Sequence, residues 1–454
     1  MLNIGVGIYM ATLDASVVNV ALPTIVTSFG SDVRTVAWVV MGYLIVITGC
    51  LLLMGGLADL LGQGKIYLLG FIAFTVGSGL CGLSPTIHSL IVSRLIQGLG
   101  ASALMAIGPA IITSVFPAKD RGQALGLTGS IVSVGFITGP LIGGFLVEHL
   151  GWRSVFFVNL PIGAVGILLS LKVLEKRGVR KKVSVDLWGA FLLFLFITSL
   201  LLVLNRMSQG STRLSWPLLG LCLFTFILFI TVELRSSTPL VDLHIFKKPL
   251  FSVSLCSSLL VFWVSGAHHF VVPFFLQNIR GFTPSEVGML VFPLAFTVMV
   301  IAPLGGRISD RVGVRLPATA GLVLISLAVF SFSLLPGDVE KVDIIWRQVL
   351  IGFGVAFFSP ANNSAIIGSL PLEKIGLTSS FLALSRNLGM VVGVAFAEMV
   401  ISFRSVGIPS GPGGGVPTLE AIQGVWESAL LIGGAAGVLS WAGRRGMQKQ
   451  QKAK

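Results

Sequence analysis

The feature that most limits what this chain can become is the recurrence of apolar stretches about as long as a bilayer is thick. Crossing the hydrocarbon takes about 20 apolar residues in helical form. Stretches of that kind recur from one end of the chain to the other and predict helices near 3–26, 37–59, 66–84, 89–115, 123–147, 154–174, 185–204, 216–234, 250–276, 284–306, 316–336, 344–370, 376–402 and 422–443, fourteen in all. Of the 454 residues 54% are hydrophobic and only 11% are charged, against roughly a quarter charged in soluble domains. The expected fold class is an all-α polytopic membrane protein in contact with a lipid bilayer.

The net charge of +13 would suit a nucleic-acid binder in a soluble chain. Here it reads as an orientation signal. With the N-terminus inside, most lysines and arginines fall in the loops and tail that would then be cytoplasmic, as the positive-inside rule requires. Both termini are therefore expected in the cytoplasm, and no nucleic acid is expected as a partner. The first apolar segment has neither the charged start nor the small-residue cleavage site of a signal peptide. Cys50, Cys81, Cys222 and Cys256 all lie in apolar runs without CxxC spacing, which points to neither a metal site nor a disulfide framework. The 55 glycines read as packing material between membrane helices.

The basic cluster "KVLEKRGVRKK" at 172–182 separates six helices from the rest, and a charged connector at 233–250 follows the eighth. The chain then parses as an N-terminal six-helix bundle (1–175), a basic loop with two inserted helices (176–245), a C-terminal six-helix bundle (246–445) and a basic tail (446–454). A weak internal repeat supports this parsing. "GLADLLG" at 56–62 follows the second helix, and "RISDRVG" at 307–313 follows the second helix of the later set. Aligning Asp59 with Asp310 also pairs Gly55 with Gly306 and Gly62 with Gly313. Parallel six-helix repeats are one of the known transporter plans.

Several residues stand out against this apolar background. Asp14, in "ATLDASVVNVALP", sits near the middle of the first helix, where a carboxylate is costly unless paired, wetted or protonated. "RLIQGLGASALM" places Arg94, Gln97, Gly98 and Ala101 on one helical face. Arg94 must find water, a carboxylate or carbonyls, or snorkel to the interface. "GFITGPLIGGF" carries Gly135, Gly139 and Gly143 at fourfold spacing beside Pro140, a stripe for very close helix contact with a bend. The loops around Asp59 and Lys65, and around Asp310, Arg311 and Arg315, read as tight turns whose acids hold a helix N-terminus and basic partners in a latch.

Other candidates lie further along. Glu398 is either a second acid site or a carboxylate reaching the interface, and Arg386 lies too far along the same helix to pair with it, roughly 18 Å away. His268 and His269 are neighbours in the ninth helix, so they point about 100° apart and cannot chelate one metal well. With Asn362, Asn363 and Gln97 they are candidates for lining a substrate cavity.

Taken together these motifs resemble the fourteen-helix branch of drug:proton antiporters within the major facilitator superfamily. "LDASVVNVALP" is similar to that branch's first-helix motif, "GGLADLLGQGK" to the superfamily loop, "RLIQGLGA" to the fourth-helix arginine motif and "GFITGPLIGG" to the fifth-helix antiporter motif. "GWRSVFFVNLPIG" and "VPFFLQNIRGFTPSEVGMLVFPLAF" also read like this branch. Leu60, Gln63 and Gly64 depart from it, standing where the family usually has basic residues. The resemblance implies two six-helix bundles with two linker helices, and proton coupling at Asp14 with Arg94 nearby; Glu398 joins them as a coupling candidate only on its own intramembrane position. Asp59, Lys65, Asp310, Arg311 and Arg315 are the gating-loop candidates, and Gly139, Pro140 and Gly143 carry the resemblance to the antiporter motif. The expected function is proton-coupled efflux of amphipathic, cationic drugs or toxic compounds by a monomer in a bacterial cytoplasmic membrane. Protons are the coupling ion and no cofactor is expected. Export of one metabolite, siderophore or lipid is the alternative within transport. No GxSxG, HExxH or P-loop supports the more distant alternative, a membrane-embedded enzyme.

Overall fold

In the computed structural model, residues 1–116, 118–173, 186–207, 212–236, 243–370, 375–404 and 417–452 are described. The core of the basic cluster at 172–182, much of the 233–250 connector and most of the 407–422 loop lie outside them, as does the expected boundary at 175–176. Every regular element among the described residues is helical: α1 (Leu2–Phe29), α2 (Val33–Leu61), α3 (Gln63–Leu83), α4 (Ile87–Val115), α5 (Ala118–Leu150), α6 (Ser154–Phe157), α7 (Asn159–Val173), α8 (Leu187–Met207), α9 (Thr212–Arg235), α10 (Pro249–Phe274), α11 (Pro284–Val312), α12 (Arg315–Ser333), α13 (Lys341–Ile367), α14 (Ile375–Arg404) and α15 (Leu419–Lys452). Thirteen helical stretches among them are long and apolar enough to cross a membrane, and Trp188–Leu204 adds a shorter apolar one. Large side chains such as Leu168, Phe224, Ile227, Val323 and Leu431 are exposed on these helices. Surfaces of that kind belong in lipid, and this is a multi-pass membrane protein.

Helices outrun the apolar stretches that announced them. α5 begins at Ala118 and ends at Leu150, and α15 continues to Lys452 through residues expected as a tail. Hydropathy reports the thickness of the bilayer, whereas backbone hydrogen bonding continues past its edge. Caps do mark several starts. The Asp32 side chain accepts from Thr35 N, Thr86 and Ser89 form a capping box, and Thr283 and Glu286 form another ahead of Pro284.

Two predicted helices are interrupted where proline removes a donor. The stretch at 154–174 breaks at Val158, between α6 and α7, because Pro161 frees the Phe157 carbonyl and crowds it. After Pro273, α10 passes into a π-helical turn, Phe275–Ile279.

The chain divides into two compact units, the first covering Met1–Asp242 and the second Leu243–Pro409 with Val416–Lys454. In the first, α1 packs on α5, α4 on both α2 and α3, and α7 on α3. The second repeats the scheme, with α10 on α14, α13 on both α11 and α12, and α15 on α12. The inserted pair belongs to the first unit. α8 lies on α2, where a Cβ at Gly49 would stand 2.5 Å from the Phe194 ring, and α9 lies on α8.

Candidate functional site

The charged residues of α1 and α4 meet inside the first unit. Asp14 is 0% exposed and Arg94 1%, and the two form an ion pair through Arg94 Nη1 and Asp14 Oδ2. The other carboxylate oxygen, Oδ1, accepts from Gln97 Nε2 at 2.8 Å and from Asn159 Nδ2 at 2.9 Å. Arg94 also donates to Gln97 Oε1 at 2.6 Å and, through Nε, to the Val39 carbonyl at 3.0 Å. Its guanidinium lies 4.0 Å over the Tyr43 ring, whose hydroxyl donates to the Ala11 carbonyl. Ser78 completes the cluster. Its hydroxyl accepts from Gln97 and Asn159 at 3.1 and 3.0 Å and donates to the Phe156 carbonyl at 2.8 Å.

The partners come from α2, α3, α4, α6 and α7, and local structure explains how several of them arrive. Gln97 follows Arg94 by three residues, so both face α1. α3 comes close to α4 because Gly77 leaves its backbone open: a Cβ there would sit 2.6 Å from Gln97 N. Asn159 opens α7 just after the break at Val158, and Phe156 beside that break offers its carbonyl to Ser78.

The glycine stripe of α5 supports α1 from the other side. A Cβ at Gly135 would fall 2.1 Å from Thr12 Oγ1, one at Gly139 1.8 Å from Ser16 Oγ, and one at Gly143 2.7 Å from Val17 Cγ2. Ser16 Oγ donates to the Gly135 carbonyl at 3.2 Å. α1 is thereby held against α5 on either side of Asp14, with Pro140 buried within the same stretch of α5.

Gln97, a candidate for a substrate cavity, is 0% exposed and bound into this charged cluster. Arg94 does not snorkel. Asn159, Ser78 and Tyr43 were not anticipated. The signals for Asn159 and Ser78 are a polar residue near a proline in the apolar "VFFVNLP" and polar residues spaced along the apolar third helix; nothing in its stretch singles out Tyr43.

The second unit holds the other candidates apart. His268 is buried, with Nε2 3.1 Å from Gln348 Oε1 and its ring 4.8 Å from that of Phe332. His269 turns away and bonds through Nδ1 to the Ser265 carbonyl at 2.7 Å, so the pair does diverge. Asn362 is buried and Asn363 exposed, as neighbours on a helix should be. Glu398 is 1% exposed and accepts from Ser402 Oγ at 2.8 Å, so its carboxylate is inside the protein and does not reach for the interface.

The two repeated loops keep their expected geometry but not their expected latch. Gly62 has φ +99° and Gly313 +81°, both with extended ψ, so the aligned glycines share a conformation that side chains strongly disfavour. Lys65 and Arg311 are exposed, and Arg315 stacks 3.8 Å over the Trp441 ring. Among the described residues, neither Asp59 nor Asp310 makes a side-chain hydrogen bond or ion pair.

Comparison with known proteins matches this arrangement to one family. The riboflavin transporter RibZ of Clostridioides difficile is 36% identical over 397 residues, covering 87% of this chain and 86% of that protein. Multidrug resistance protein Stp of Mycobacterium tuberculosis is 33% identical over 405 residues, covering 88% and 74%. The solved structure of a bacterial homolog of the human lysosomal transporter Spinster superposes with a TM-score of 0.72 at 18% identity, over 99% of this chain and 97% of that one. With residues 4–394 matching the family's description, this chain belongs to the Major Facilitator Superfamily and is a transporter, not an enzyme.

Proposed function

We propose that the protein is a proton-coupled exporter of amphipathic small molecules, an antiporter of the fourteen-helix drug:proton branch. The observation that supports this reading is the Asp14 cluster. A carboxylate enclosed in the membrane part of α1, with both oxygens engaged by donors from other elements, is a two-state element. Ionised, it holds Arg94 and α4 against α1. A proton on Asp14 cancels its charge and leaves Arg94 as an uncompensated buried cation, which the protein relieves by moving α4 or admitting water. Proton exchange is thus tied to a change in how α1 and α4 pack. The glycine stripe of α5, with room for no side chain, carries that change along α1. Glu398 is the second candidate acid, and His268, His269, Asn362 and Asn363 are candidates for substrate contacts.

The sequence alone favoured cationic drugs as cargo, and Stp keeps that reading open. A second reading, export of one endogenous metabolite, is favoured by the 36% identity to a riboflavin transporter over most of both chains.

Everted vesicles loaded with acid test the mechanism. Substrate-triggered proton release that disappears in Asp14→Asn supports the antiport reading, and release at the native rate in that variant defeats it.

A further inference from the structure

Asn159 carries an oxygen that the Asp14 cluster does not use while Asp14 is ionised. Three side chains donate to the carboxylate: Arg94 Nη1 to Oδ2, and Gln97 Nε2 and Asn159 Nδ2 to Oδ1. A proton on Asp14 changes what the site needs, because a carboxylic acid has an O–H that donates. Buried in this enclosure, that O–H is costly without an acceptor. The other titratable groups that meet here are Arg94 of α4, Tyr43 of α2 and Cys81 of α3, and all three already donate, Tyr43 to the Ala11 carbonyl and Cys81 to Gln97. α5 faces this part of α1 with glycine.

The acceptors around Asp14 are engaged, with one exception. Gln97 Oε1 accepts from Arg94 Nη1 at 2.6 Å and from Cys81 Sγ at 3.6 Å. Ser78 Oγ accepts from both amides, and the Val39 and Phe156 carbonyls accept from Arg94 and Ser78. Asn159 Oδ1 is the exception. The residue is 0% exposed, and this oxygen is buried without a partner among the described residues. On the same amide, Nδ2 stands 2.9 Å from Asp14 Oδ1 and 3.0 Å from Ser78 Oγ. A half-turn about the last side-chain torsion, which is roughly two-fold, exchanges the two ends and brings the open oxygen to where the nitrogen was. Gln97 has no such freedom, since the same turn would aim its amide hydrogens at the Arg94 guanidinium.

We propose that Asn159 is a positioning residue that follows the proton. It donates to ionised Asp14, and it turns its amide to accept from the O–H when Asp14 Oδ1 is protonated. The turned oxygen also faces Ser78, whose hydroxyl swings from the Phe156 carbonyl to donate to it. Phe156 lies beside the break between α6 and α7, so a proton arriving on α1 releases a contact at that break. This rests on the proton-coupled reading and adds to it the group that accommodates the protonated acid.

The full chain, with asparagine isotope-labelled at its side-chain carbonyl, is purified into phosphatidylcholine nanodiscs. Infrared difference spectra are recorded between alkaline and acidic buffer. Acid should bring up a carboxylic-acid band that Asp14→Asn lacks. Over the same pH range one labelled carbonyl band should move to lower frequency, as an amide oxygen does on gaining donors. That movement should be lost in Asn159→Leu and in Asp14→Asn; if Asn159→Leu does not fold, Asn159→Ser assigns the band. An asparagine that keeps its orientation gives the opposite sign, because its N–H loses an anionic acceptor and its carbonyl moves to higher frequency. That result overturns the proposal, as does no movement, or a movement that persists in Asp14→Asn. In those cases the Asp14 acid band still stands, and the antiport reading with it. Absence of the acid band from the native chain defeats proton exchange at Asp14, and the role of Asn159 falls with it.

Discussion

Arg94 and Asp14, 80 residues apart in sequence, meet as a fully buried ion pair in which one guanidinium nitrogen serves both the carboxylate and Gln97. The pair is enclosed, so its two members are not equivalent to two independent charges. Removing either leaves the other buried without its counter-charge, at a cost of about 3–5 kcal/mol.

Asp14→Asn and Arg94→Gln should each therefore lower the thermal midpoint of the purified protein more than the double variant does. Asn and Gln together leave no charge behind, whereas each single change does. A double-mutant cycle by thermal unfolding checks this, and additive losses would mean the pair contributes no mutual stabilisation. Neither the single nor the double variant should couple substrate to protons.

The contact between α1 and α5 is set by the absence of side chains. Gly139→Ala would place a methyl group 1.8 Å from Ser16 Oγ and 2.8 Å from Ser16 Cβ, so turning the hydroxyl away leaves the second clash in place. We expect little folded protein from this variant in membrane extracts, and partial recovery when Ser16→Gly is added. At Gly220 on α9 an added Cβ would meet no atom within 4 Å, and Gly220→Ala should accumulate at the native level. Equal loss at both positions would point to glycine content in general and not to this contact.

What was legible in the sequence follows from what membranes disfavour. Asp14 and Arg94 could be singled out because a charge within an apolar run demands a partner, and only a few such charges are available. The α5 stripe was legible because close packing needs glycine at helical spacing. Helical spacing puts Gln97 on the face of Arg94, but spacing gives direction only, and the bonds to Asp14 and Arg94 become visible in the structure alone. Asn159 and Ser78 do not stand out in the sequence, for a different reason. Amides and hydroxyls are tolerated well enough to scatter along membrane helices, and Asn159 reaches Asp14 only because the helix breaks ahead of Pro161. Helix ends were misjudged where polar residues extend a helix out of the apolar layer, as at α5 and α15.

The aligned turns make a prediction that concerns folding alone. Gly62 and Gly313 hold positive φ with extended ψ, a region that costs other residues about 1–3 kcal/mol. Gly62→Ala and Gly313→Ala should both lower the thermal midpoint. Gly55→Ala is the control, since Gly55 has helical backbone and no atom within 4 Å of an added Cβ. An unchanged midpoint in both turn variants would show that the turns relax freely and that their glycines serve something other than conformation.

The helices equivalent to α1 and α4 in the second unit are α10 and α13, and their buried polar contact pairs an imidazole with an amide in place of a carboxylate with a guanidinium. Gln348 is the eighth residue of α13, as Arg94 is of α4, and it meets His268 of α10. Phe332 and Trp426 flank the histidine, and His268 Nδ1 and Gln348 Nε2 are buried without a partner among the described residues. A contact with no ion pair holds two helices together and need not change when a proton arrives. His268→Leu should therefore strand the Gln348 amide at about 1–3 kcal/mol, lowering the thermal midpoint, and adding Gln348→Leu should recover part of the loss. Proton release per substrate should stay at the native value in both variants. Release that vanishes in His268→Leu with the midpoint unchanged would place His268 in the proton path, and the division between an ion-paired, coupling contact and an amide-held, structural one would have to be abandoned.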